Sequence, residues 1–169
     1  MRTNIAFTIN VDVNSHNDQK SFNIDIDESI YEFDNIEEYA IELFNNEFDT
    51  ELDTTDCDFT ITVTDDRLKD IGIETADDLE NFCNVFYSDN NYHDFEVFEA
   101  AYKCDIPFED IDDHYNGVWF SDEDFVRNLL EDSGEIPTDL PHYIHIDWER
   151  TAREVMMDYI ESGGHYFRQ

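Results

Sequence analysis

The stretch FSDEDFVRNLLEDSGEIPTDLPHYIHIDWERTAREVMMDYIESGGHYF, Phe120–Phe167, decides how this chain is read. Ser121 is a good helix N-cap, with Asp124 three residues on as in a capping box. Phe125, Val126, Leu129 and Leu130 follow as an apolar stripe at helical spacing. Gly134 supplies the stop, and Pro137 and Pro141 stiffen what comes next. A second helix is expected from about Asp147 to Ser162, burying Trp148, Ala152, Val155, Met156, Tyr159 and Ile160. Glu154, Asp158 and Glu161 would then form one acidic row at i, i+4 and i+7. No nucleophile stands beside a base. The stretch presents carboxylates on rigid elements.

Charge governs the rest of the reading. The chain has 169 residues, 44 Asp and Glu against 9 Lys and Arg, and a formal net charge of −35. Repulsion on that scale works against a compact state. Yet 14 Phe and 9 Tyr are enough to anchor a core, and disordered acidic chains are poor in aromatics. A basic partner is the sharpest explanation of the charge; halophilic adaptation and generic solubility are the bland ones. Free nucleic acid is excluded as a partner, because phosphate would repel the chain. Cys57, Cys83 and Cys104 are odd in number and widely spaced, giving neither a disulfide framework nor a CxxC site. Met1-Arg2 leads into an alternating pattern rather than an apolar signal, and no run of 18 apolar residues occurs, so a cytoplasmic protein without a membrane span is expected.

Outward from the opening stretch, the spacing predicts an α+β protein of three small subdomains in a row. Residues 1–66 read as an antiparallel sheet plus a helix. Ile5, Phe7, Ile9, Val11 and Val13 alternate with polar residues, and Asn14–Lys20 turns the chain into a second alternation at Phe22, Ile24 and Ile26. Asn35 opens a helix with Ile36, Tyr39, Ala40, Leu43 and Phe44 inward, and Asp58–Thr64 is a third strand. Residues 67–104 read as a helical middle. Thr75 with Asp78 forms a second capping box, and Phe95, Phe98 and Tyr102 face inward on the last helix. Residues 105–169 combine helices with short strands, one expected at Val118–Phe120 after a turn at Tyr115–Gly117.

Three patterns resemble chemical sites, and ordinary structure explains each. Asp112, His114, Asn116, Gly117 and Glu123 fall at EF-hand loop positions, but His is wrong for calcium and Ser121 already starts a helix inside the loop. His142 and His145 lie in a proline-flanked extended stretch that points them to different faces. With 44 acids, glycosidase-like carboxylate pairs are numerous and none stands out. No Gly-rich phosphate loop, GxSxG or HExxH occurs. The reading is a protein with no catalytic residues, no metal and no cofactor.

The segment LLEDSGEIPTDLPHYIHIDWERTAREVMMDYIESGGHYFR (Leu129–Arg168) resembles the C-terminal part of the ArdA antirestriction proteins, and the likeness extends back through FEAAYKCDIPFEDIDDHYNGVWFSDEDF (Phe98–Phe125). That family mimics B-form DNA and occupies the DNA-binding groove of type I restriction-modification enzymes. The resemblance implies an elongated acidic homodimer, and a mobile genetic element would benefit from such a protein to evade host defence on entering a restricting host. Duplex DNA bears one charge per about 1.7 Å, so 35 net charges at that density need on the order of 60 Å. A compact chain of this length spans roughly 40 Å, so either the charge exceeds DNA density or the molecule is elongated, as the resemblance implies. Other acidic-mimic targets, such as a CRISPR nuclease or nucleoid protein, and a halophile's housekeeping protein are the alternatives. The expected partner-binding carboxylates are Glu131, Asp132, Glu135, Asp139, Glu154, Asp158 and Glu161, with Asp110, Asp112 and Asp113 as a second patch. Crowding should raise the pKa values of such carboxylates.

Overall fold

Alternation builds the first sheet. In the computed structural model, which describes residues 5–15, 18–33, 35–88, 91–137 and 139–169, β1 (Phe7–Ser15) and β2 (Asp18–Ile26) form an antiparallel pair from Phe7 opposite Ile26 to Ser15 opposite Asp18. The strands run past the expected Asn14–Lys20 turn, because ladder hydrogen bonds do not require apolar side chains. His16 and Asn17, at the centre of that expected turn, lie outside the described residues. β3 (Cys57–Val63) pairs antiparallel with β1, giving the order β2-β1-β3. Phe7, Ile9, Val11 and Val13 are buried on one face of the central strand.

α1 (Ile36–Phe48) starts at Asn35, whose side chain accepts a hydrogen bond from the Glu38 N–H at 2.9 Å. It buries Ile36, Tyr39, Ala40, Ile41 and Phe44, while Leu43 is half-buried. α2 (Asp66–Asp70) and α3 (Ala76–Phe86) follow, and the Thr75–Asp78 capping box is formed in both directions. α4 (Phe95–Lys103) buries Phe95 and Phe98 but leaves Tyr102 exposed, against expectation.

The expected boundary at 66/67 is not where the chain divides. Its compact units are residues 1–99 and 100–169. The Phe7 ring of β1 packs 5.5 Å from both Phe82 and Phe86 of α3 and 5.4 Å from Phe95. The Tyr87 hydroxyl donates to the Ile5 and Ile26 carbonyls at 2.8 and 2.9 Å. One aromatic core therefore serves the sheet and the helices after it.

The second unit contains α5 (Ile111–His114), β4 (Tyr115–Val118), α6 (Asp122–Asp132), α7 (Trp148–Val155), β5 (Tyr159–Ser162) and β6 (His165–Arg168), with strand order β4-β6-β5. β4 begins three residues before the strand expected at Val118–Phe120, and Phe120 is fully exposed. Tyr115–Gly117, expected to turn, is strand with a register irregularity; Gly117 at φ +95 absorbs it.

The second expected helix stops early. α7 ends at Val155, Met156–Asp158 forms a single 3₁₀ turn, and Tyr159–Ser162 is strand. Tyr and Ile favour strands, and Gly163 and Gly164, at φ +61 and +87, make the tight turn that pairs β5 with β6. Phe125, Val126, Ala152 and Tyr166 form the core of the helix layer, with Leu129, Leu130, Val155, Met156 and Tyr159 around it. Trp148 is only half-buried, and the Arg127 guanidinium lies 4.9 Å from its ring centroid. The protein is α+β, with two small antiparallel sheets and seven α-helices among the described residues.

Candidate functional site

Local chemistry fixes the helices that carry the acidic surface. The Ser121 hydroxyl accepts from the Asp124 N–H at 3.2 Å and starts α6. At the other end Gly134, at φ +72, donates to the Glu131 carbonyl at 3.1 Å while Ser133 donates to that of Leu129 at 3.0 Å. Asp147 caps α7, accepting from the Arg150 N–H at 3.1 Å. The arginines of α7 are turned on its own acids: Arg150 Nε donates to Glu154 at 3.2 Å and Arg153 to Glu149 at 2.9 Å. Both are the expected i, i+4 pairs.

All ten singled-out carboxylates belong to the second unit, and all ten residues are exposed. Glu131 and Asp132 end α6, and Glu135 follows its glycine stop. Glu135, Glu154 and Asp158 converge on one depression floored by Leu129, Leu130, Val155 and Tyr159. Glu161 does not join Glu154 and Asp158 in a helical row, because it sits on β5, where its carboxylate accepts from the Gly164 N–H at 2.6 Å and closes the hairpin turn. Asp139 lies in the connection between α6 and α7. Asp110, Asp112 and Asp113 occupy a separate run, the 3₁₀ turn Phe108–Asp110 and α5.

No protein-family model, curated protein or solved structure matches this chain.

The EF-hand-like run is divided among elements: Asp112 and His114 on α5, Asn116 and Gly117 on β4, Glu123 on α6. His114 Nδ1 meets the Arg168 carbonyl at 2.6 Å, so that nitrogen carries the proton, and the Asn116 amide donates to the His114 carbonyl at 2.7 Å. Among the described residues no group of three His, Cys, Asp or Glu is placed to hold a metal ion.

One acidic group escaped the sequence reading. Asp122, Glu123 and Asp124 fill the exposed first turn of α6, where negative charge suits the helix dipole. Asp122 and Glu123 line a second depression with Glu149, Arg153, Met156 and Met157. Asp122 also accepts a 2.7 Å hydrogen bond from the buried Tyr166 hydroxyl, and burial together with that carboxylate pushes the phenol well above its ordinary pKa. The signal was available as three consecutive acids after an N-cap.

The expected upward shift of carboxylate pKa values is reversed at the carboxylates where a shift is resolved. Asp65 is held low chiefly by its hydrogen bonds with Arg67, whose Nε donates at 3.0 Å. Asp78 is held low by the Thr75 hydroxyl and N–H, and Asp53 by the Thr55 N–H and hydroxyl. At these sites hydrogen bonding to the charged form outweighs the desolvation that opposes it.

Proposed function

We propose that this protein is a stoichiometric DNA mimic that occupies the DNA-binding groove of a host defence enzyme, a type I restriction-modification enzyme in the first instance. The observation that carries the reading is where the charge lies. The chain bears a net −35, and among the described residues no charged residue is buried. The charge is therefore surface charge, on capped helices and a hairpin. The likeness of Leu129–Arg168 to the ArdA family supports the same target. Carboxylates stand in for phosphates against Lys and Arg of the groove. Base readout is unnecessary, because phosphate contacts supply most non-specific affinity. A rigid mimic avoids the ordering cost that a flexible acidic tail incurs on binding. The proposal includes a homodimer acting in the host cytoplasm, with neither enzymatic activity nor a cofactor. Among the described residues no helix is long and apolar enough to cross a membrane.

The test is a restriction assay with purified type I enzyme, titrated with this protein at several DNA and salt concentrations. Inhibition competitive with DNA and weakening steeply with salt is expected. Inhibition unchanged between low and physiological salt would remove the electrostatic basis of the reading. Affinity capture from host lysate names the target: restriction-enzyme subunits support this reading, whereas Cas or nucleoid proteins move the mimicry to another system. Light scattering at micromolar concentration checks the dimer.

A further inference from the structure

We propose that the free edge of β2, with the groove between it and α1, is a docking strip for an extended segment of a partner protein that alternates apolar residues with Lys or Arg. This goes beyond DNA mimicry and concerns the first unit alone. Among the described residues β2 is an outer strand, with β1 on one side and no strand on the other. Which of its backbone groups face outward follows from two independent contacts. Thr8 turns its N–H and C=O towards Asp65, on the β3 side, so the odd residues of β1 bond to β2. Their partners are Lys20, Phe22, Ile24 and Ile26, which leaves the N–H and C=O of Gln19, Ser21, Asn23 and Asp25 pointing away from the sheet. The Asp25 carbonyl confirms the parity by accepting from the Tyr39 hydroxyl of α1 at 3.2 Å. Ser21 and Asn23 thus offer two donors and two acceptors in ladder spacing.

Beside this edge runs a groove lined by Phe22, Ile24, Leu43 and Phe48, with exposed Asp25 and Glu47 at its rim. An edge strand flanked by a helix is the arrangement in which an added strand gains main-chain hydrogen bonds while its alternate side chains enter the groove. Charge selects the occupant. A second copy of this chain has only 9 Lys and Arg and, among the described residues, no strand that alternates them with apolar residues, whereas a basic segment meets Asp25 and Glu47. The aromatic wall already accommodates an ammonium: Lys20 Nζ lies 4.4 Å from the Phe48 centroid and 5.7 Å from that of Phe44.

The test uses the full chain and the peptide acetyl-Lys-Val-Arg-Ile-Lys-Val-amide. Its control is the same peptide N-methylated at the amides that would face β2, which keeps the charge and removes the ladder donors. Titration followed by amide NMR should shift Ser21 and Asn23, and N-methylation should weaken binding about tenfold, as expected for losing ladder hydrogen bonds. Asn23→Pro, which removes an outward N–H that an edge strand can spare, should do the same. Equal binding of both peptides would overturn the proposal, since charge alone would then explain it. So would shifts confined to the second unit, or a concentration-dependent dimer that Asn23→Pro dissolves. DNA-competitive inhibition by an Asn23→Pro variant that no longer binds the peptide would show that the two surfaces stand or fall separately.

Discussion

Replacing Phe125 with Ala tests whether the acidic surface depends on the small core beneath it. The ring is 2% exposed, and its centroid lies 4.6 Å from Tyr166, 4.9 Å from Tyr159 and 6.1 Å from Trp119. It therefore joins α6 to β5, β6 and the residue that follows β4. Truncating a buried Phe costs about 3–5 kcal/mol. At the usual ~0.05–0.15 kcal/mol per residue, a unit of this size holds only about 4–10 kcal/mol. Phe125→Ala should thus bring residues 100–169 close to their folding threshold. Trp148→Ala is the comparison. That ring is half-buried beneath Arg127, so its loss should cost about 1–2 kcal/mol, mainly cation–π attraction and partial packing. Thermal melts followed by near-ultraviolet circular dichroism, beside restriction inhibition, separate the two. Phe125→Ala should lose inhibition together with its tertiary signal at 37 °C, while Trp148→Ala keeps both. A folded Phe125→Ala variant without inhibition, or a Trp148→Ala variant less stable than Phe125→Ala, would refute this account of the core.

Neutralising Glu135, Glu154 and Asp158 together should weaken inhibition clearly more than any single Asp→Asn or Glu→Gln change, which should cost no more than several-fold because an exposed pair is worth about 1 kcal/mol at most; one acid whose loss abolishes activity in a folded protein would instead point to a catalytic site. Acid should destabilise the first unit through Asp65. Its folded pKa lies below its unfolded value, so its contribution is present above the unfolded pKa and is lost as pH falls through the folded one. Denaturant midpoints of Asp65→Asn should accordingly fall less than those of the parent between pH 6 and pH 3, a range that brackets the ordinary Asp pKa of about 3.9. Gly164→Ala should destabilise by about 1–2 kcal/mol and more than Gly163→Ala, because φ +87 lies outside the left-handed region that a residue with a Cβ can occupy, whereas φ +61 lies inside it. Equal melting temperatures for the two variants would mean that the turn relaxes at Gly164 without cost.

Elements with strong local punctuation were legible in the sequence. Ser121 with Gly134, Asn35 before an apolar stripe, and Thr75 with Asp78 each place helix ends by side-chain capping or glycine backbone freedom that acts within a few residues. The i, i+4 pairs of α7 were legible for the same reason. The acidic row through Glu161 was not. Helical spacing continues on paper past Val155, but the Gly163-Gly164 turn and pairing with β6 draw Tyr159–Ser162 into a strand, and that pairing depends on residues outside any helical window. Trp148 misled because size suggests burial, whereas Ala152 takes the tight position and leaves the indole at the edge. The joining of residues 67–99 to the first sheet rests on Phe7 meeting Phe82 and Phe86, contacts too distant in sequence for local periodicity to reveal.

The neutral interior has a consequence for how such a protein changes over generations. With no charged residue buried among the described residues, carboxylates can move between neighbouring surface positions, or exchange Asp for Glu, without disturbing the packing beneath. On the proposed mimicry, a summed field depends on how many charges face the partner more than on which residues supply them. Selection on such a surface therefore preserves a density rather than a motif, and lineages can lose positional identity at the acids while the buried aromatic positions stay fixed.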